Sequence, residues 1–200
     1  QTSWTGVLFN KEVMIKINQS LIIIGIATLL VSCSKDRLFE MGNPTPIQPI
    51  DSTEKLIQIN EFLAKGSQLT TDLGNASDWI ELYNPGQKPL FMKAGEWFIS
   101  DSPTDPEKFE LPERTINAGD FLMIFCDDSN RTTSHIHTNF GLSSNGEHIA
   151  LYHKTSTSVS IVDSTSFGVQ TEENMSNSRV PDGSLNWVYP SIPTPGNPNQ

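Results

Sequence analysis

The heptapeptide DWIELYN, Asp78 to Asn84, decides how the rest of the chain is read. Successive side chains of an extended strand point to opposite faces, so Ile80 and Leu82 share one face while Trp79, Glu81 and Tyr83 share the other. That alternation predicts a strand with a buried inner face, and the Asn84-Pro85-Gly86 that follows reads as a turn. Working outward, the same pattern predicts strands over 57–63, 79–84, 96–100, 108–111, 121–126, 148–153, 160–163 and 165–169. Further turns are marked by NAG at Asn117 to Gly119, SNG at Ser144 to Gly146 and PDG at Pro181 to Gly183, each offering a glycine where a positive φ is needed. Apolar residues nowhere recur at three-four spacing over enough length for a helix. The expected fold class is therefore all-β, a sandwich of short strands.

The chain of 200 residues has room for one domain plus an extension. It contains 13 Gly and 13 Pro, in keeping with many turns, and 10 Phe, 4 Trp and 3 Tyr for a core. A formal charge of −10 argues against nucleic acid as a partner, because phosphate binding needs a basic stripe and none is visible.

Ahead of the domain lies an apolar run of eleven residues, Leu21 to Val31, short of the ~20 that a membrane-spanning helix needs. With Met14 as a start and Lys16 as its charge, residues 14–32 read as a signal peptide, and residues 1–13 as an extension ahead of the native start. The tetrapeptide Leu30-Val31-Ser32-Cys33 resembles the lipobox of bacterial lipoproteins, which implies that Cys33 becomes the lipid acceptor after cleavage before it. Ser34 in the following position implies the outer membrane. Residues 33–55, with Pro44, Pro46 and Pro49, read as the lipidated cysteine and an extended tether. The other cysteine, Cys126, is then left without an intramolecular partner in an oxidising compartment; it sits in FLMIFC, where a buried thiol acts as a small apolar side chain.

Over residues 56–200, several segments in order resemble the lamin tail domain, an immunoglobulin-like module. They are the strand ending in Asn60-Glu61, DWIELYN, GEWFISD around Trp97, the apolar strand after NAG, and the closing elements RVPDG from Arg179, Trp187 and TPGNPN from Thr194. The resemblance implies an immunoglobulin-like β-sandwich with Trp97 in its core. It also implies that Asn60 and Glu61 bond turns or strand ends and that Arg179 pairs with an acidic neighbour. Members of the family act as binding or tethering modules, so the resemblance implies no catalytic residue.

For chemistry, the best assembly in the sequence is Asp127, Asp128, His135 and His137, two carboxylates and a His-x-His pair of the kind that suits zinc. The same segment, DDSNRTTSHIHTN, reads equally as a solvated loop after a strand, and on that reading it holds no metal and the protein needs no cofactor. Asp72, Asp78, Asp101, Asp105 and Glu107 lack EF-hand spacing and read as solvated loop carboxylates. Asp51-Ser52-Thr53 and Asp163-Ser164-Thr165 each resemble a bacterial O-glycosylation acceptor. The sequence thus predicts a non-enzymatic lipoprotein, held in the envelope membrane through Cys33, that presents its domain to a protein or glycan. The alternatives are an accessory subunit of a surface hydrolase or nutrient-uptake complex, and a metal-dependent hydrolase built on His135 and His137.

Overall fold

A computed structural model describes residues 57–132 and 134–200; the predicted signal peptide, Cys33 and the tether lie outside the described residues. Among these residues every regular element is a strand: β1 (Gln58–Leu63), β2 (Asp78–Tyr83), β3 (Leu90–Met92), β4 (Trp97–Ser100), β5 (Phe109–Glu110), β6 (Arg114–Ile116), β7 (Phe121–Cys126), β8 (Arg131–Thr132), β9 (Ile136–His137), β10 (Glu147–Lys154), β11 (Val159–Phe167), β12 (Ser176–Arg179) and β13 (Trp187–Ser191).

They form an immunoglobulin-like sandwich. One sheet runs β13-β12-β1-β2-β7-β9-β8, the other β11-β10-β4-β5, and a two-stranded ribbon, β3-β6, adds Met92 and Ile116 to the core. The pairs are antiparallel except β7 with β9. Ile80, Leu82, Ile124, Ile136, Trp97, Ile99, Ile149 and Leu151 meet in the buried core between the sheets, where dispersion and loss of apolar surface to water hold the layers together.

In β1 a plain alternation fails. Ile57 and Ile59 face the core, yet so do Phe62 and Ala64, an even-numbered pair. The pairing with β2 shifts between Ile59 and Glu61, leaving Asn60 as the extra residue of a β-bulge. The bulge resets the phase, so both Asn60 and Glu61 are available for polar contacts away from the core.

The structure corrects the reading of DWIELYN in one respect. Ile80 and Leu82 do face the core, but Trp79 and Glu81 on the opposite face are buried as well. Trp79 packs with Leu63 and Phe125 in a second apolar cluster, flanked by Leu69 and Met123. Two strands predicted at 160–163 and 165–169 are a single strand, β11, whose pairing with β10 is interrupted by an irregularity opposite Leu151 and Tyr152. Of the turn glycines, Gly119, Gly146 and Gly183 have positive φ, and at Gly86 the N–H donates to Asn84 Oδ1 at 2.9 Å.

Candidate functional site

Two polar constellations stand out: one ties β1 to Asp163 on β11 and to the C-terminal residues, and the other lies on the outer face of the larger sheet. The first explains the residues singled out by the family resemblance. Beside the bulge, the Ile59 N–H donates to Asp163 Oδ2 at 2.8 Å and the Ile59 carbonyl accepts from Arg179 Nε at 2.7 Å. Arg179 Nη2 closes the triangle on Asp163 at 3.0 and 3.2 Å, and the guanidinium lies over the Trp187 ring, 4.6 Å from its centroid. Asp163 is therefore an anchoring residue. Asn60 accepts from the Gly183 N–H and donates to Asp182.

Residues 194–199 lie across β1 and β2. Thr194 donates its N–H and hydroxyl to Glu61, Gly196 donates its N–H to Glu81 Oε2 at 2.6 Å, and Asn199 donates to the Arg179 carbonyl. The hydroxyls of Ser176 and Ser178 also serve Glu61. Burial pushes the Glu81 carboxyl from its ordinary 4.5 up to about 8, with Glu61 and Asp182 nearby adding to the rise, and burial also raises Glu61. This constellation closes the fold by tying β1 and β2 to the C-terminal residues.

The second constellation sits over Phe125. β9 runs beside β7, which places Ile136 in the core and turns His137 to the outer face, where its ring stacks near Phe125 with centroids 5.7 Å apart. His135, two residues earlier, falls on the same side of the sheet, 5.2 Å from that ring. The segment between β1 and β2 folds back through a turn at Thr71 to Asn75 and brings Asp72 to both imidazoles. His137 Nε2 is 2.8 Å from Asp72 Oδ1, and His135 Nδ1 is 3.4 Å from the same oxygen. On the far side of the His137 ring, Nδ1 is 2.8 Å from Asp127 Oδ2, while Asp127 Oδ1 accepts the Ser129 N–H. The Ser134 hydroxyl donates to Asp72 Oδ2. His137 is fully buried; His135 is 44% exposed.

The structure thus joins three of the four sequence candidates, Asp127, His135 and His137, and adds Asp72, which the sequence reading had placed among solvated carboxylates. Asp128 is left out: it is exposed and adopts a left-handed backbone at φ 59°. The segment after β7 is also less solvated than its composition implies, since it forms β8 and β9 and buries His137 and Thr138. Asp101 and Glu107 bind Lys108 and Lys154. A shallow cleft of about 350 Å3 lies between Gly66, Ala76, Asp78 and Asp127. Burial raises the Asp78 carboxyl there from 3.8 to about 6, with Glu147 contributing. Of the histidine cluster, only Asp127 reaches this lining.

Cys126 is buried in the core, and burial pushes its thiol well above the ordinary range, so it stays protonated and inert. Trp97 is in the core as the resemblance implied.

A search of curated proteins finds no match. The family model for the Lamin Tail Domain matches residues 51–168, more than half of the chain. With that match and the sandwich just described, the chain belongs to the lamin tail domain family, as an immunoglobulin-like module of the binding kind.

Proposed function

We propose that this protein is a lipid-anchored, non-enzymatic envelope protein that presents its lamin tail domain to a protein partner. The observation that carries the reading is the order of parts in one chain: Leu30-Val31-Ser32-Cys33, which resembles a lipobox, then Pro44, Pro46 and Pro49, then a sandwich whose characteristic residues are used for closure. Acylation would make attachment effectively permanent, each buried methylene contributing about 0.8 kcal/mol. A rigid frame on a tether leaves its surface loops to make contacts. A protein suits the surface better than a glycan, because among the described residues the exposed large apolar side chains are Phe91 and the aliphatic Val159, Ile161, Val169, Leu185 and Ile192. Sugar rings are usually met by aromatic faces.

The anchor is tested by expressing the full chain in a Gram-negative host with radiolabelled palmitate. Wild type takes up label and enters the detergent phase; Cys33→Ala takes up none and accumulates as an unprocessed precursor. Unlabelled wild type, or a mutant matured at the same position and equally membrane-bound, overturns the anchor. The partner class is tested by binding the labelled chain to envelopes lacking it. Binding lost on protease treatment supports a protein partner, and binding lost only on periodate oxidation supports a glycan.

A further inference from the structure

We infer that Asp72, His135 and His137 form a binding site for a divalent cation of the zinc class, with Asp127 orienting His137. The geometry is that of a ligand set. One carboxylate oxygen and two imidazole nitrogens, contributed by two segments more than sixty residues apart, lie within 4.8 Å of one another. In a tetrahedral site with bonds of 2.0–2.1 Å, neighbouring ligand atoms stand roughly 3.3 Å apart. The 3.4 Å between His135 Nδ1 and Asp72 Oδ1 already has that spacing, and the 2.8 Å at His137 Nε2 opens to it by a small rotation of Asp72.

Carboxylate and hydroxyl groups behind the ligand atoms hold them in place. Ligating histidines characteristically donate their other ring N–H to a carboxylate, which fixes the tautomer and raises ligand basicity. Asp127 occupies that position on His137 Nδ1, and it is itself held by the Ser129 N–H. The Ser134 hydroxyl on Asp72 Oδ2 similarly leaves Oδ1 turned toward the two rings.

His137, fully buried, has a carboxylate oxygen 2.8 Å from each ring nitrogen. A divalent cation on the Nε2 side would be shared by that nitrogen and the Asp72 carboxylate. The same cation would bond His135 Nδ1, which lies 3.4 Å from Asp72 Oδ1. Two nitrogen ligands and one oxygen favour zinc, cobalt or nickel over calcium and magnesium, which take oxygen sets. Three protein ligands leave a position for water, and the bound ion clamps the loop bearing Asp72 to the arm bearing β8 and β9.

The test uses the full, tag-free chain in detergent, freed of metal by chelator and titrated with Zn2+ in a calorimeter, with Ca2+ in a parallel run. One equivalent of Zn2+ is expected, with no Ca2+ binding, and Co2+ in its place gives the intense visible bands of a four-coordinate site. His135→Ala, at a partly exposed position that does not endanger folding, weakens Zn2+ binding at least tenfold. Asp127→Asn weakens it tenfold or more without changing the stoichiometry, and Asp128→Asn leaves it unchanged. Thermal stability rises with Zn2+ and falls back with chelator in wild type but not in His135→Ala. Absence of stoichiometric binding, or affinity unchanged in His135→Ala, overturns the site.

Discussion

Arg179 serves a backbone acceptor and a side-chain acceptor at once, joining β1 to β11. Its Nε satisfies the Ile59 carbonyl beside the bulge and its Nη2 grips Asp163, with the side chain 4% exposed and Asp163 15% exposed. Removing one partner of a buried pair leaves the other charge uncompensated, at a cost of about 3–5 kcal/mol. Arg179→Ala is therefore expected to lower unfolding free energy by that amount in urea titrations, with Arg179→Lys recovering little, because a single ammonium cannot occupy both directions of the fork. Adding Asp163→Asn to the alanine variant should restore part of the loss; a double variant no more stable than the single one would sink the pairing account. These residues were legible as motifs, but their partners were not. Nothing in the sequence links Arg179 to Asp163 on β11, or Asp72 to histidines more than sixty residues later; the readable part of the site was the His-x-His spacing, which places both rings on one side of a strand.

At the level of elements, the turn from Ser143 to Gly146 sets the start of β10 against the end of β11 through the Gly146 N–H to Ser143 and the Gln170 N–H to Ser144. Gly146 has φ 102°, and a Cβ added there would stand 2.7 Å from the Phe167 carbonyl oxygen. That atom belongs to backbone and cannot swing aside. Gly146→Ala should cost about 2–3 kcal/mol. Gly74→Ala, with φ 82° but open space around the new methyl, should cost only ~1 kcal/mol of backbone strain. Equal losses in the two variants, measured by chemical unfolding, would show that the close approach at Gly146 is immaterial. The strands found from sequence were those with apolar runs, such as β7 and β10. β12, reading SNSR, has no apolar residue at all; its serines are buried because they serve Glu61, so no hydrophobic pattern announces it. β3, β6, β8 and β9 are two or three residues long, too short for a period to show. The bulge at Asn60 likewise hides the true inward face of β1, since one extra residue shifts every later side chain across the sheet.

For the whole molecule, the buried carboxyls set how stability varies with pH. Glu81, raised from 4.5 to about 8, and Asp78, raised from 3.8 to about 6, hold their protons more tightly in the folded state than in the unfolded chain. Their contribution is complete below the unfolded values and is lost as pH climbs through 6 and then 8. Each unit of rise is worth about 1.4 kcal/mol, so the fold should weaken by on the order of a few kcal/mol between pH 5 and pH 9. A melting temperature that falls on the order of 10 °C over that span is expected, and Glu81→Gln should flatten the upper half of the profile. A profile that rises toward alkaline pH would show that Glu81 is ionised throughout. The wiring that buries Glu81 has a temporal side as well. β1 is flanked by β12, with Glu61 opposite Ser178, and is then covered by Thr194 and Asn199. A ribosome that has delivered only the first hundred residues of the domain has supplied a central strand with one neighbour missing and its two acids uncovered. Contacts of such long sequence separation form late. The nascent chain stays loose until residues 176–199 emerge, a delay that suits passage through a secretion channel in the unfolded state and fits the export proposed above.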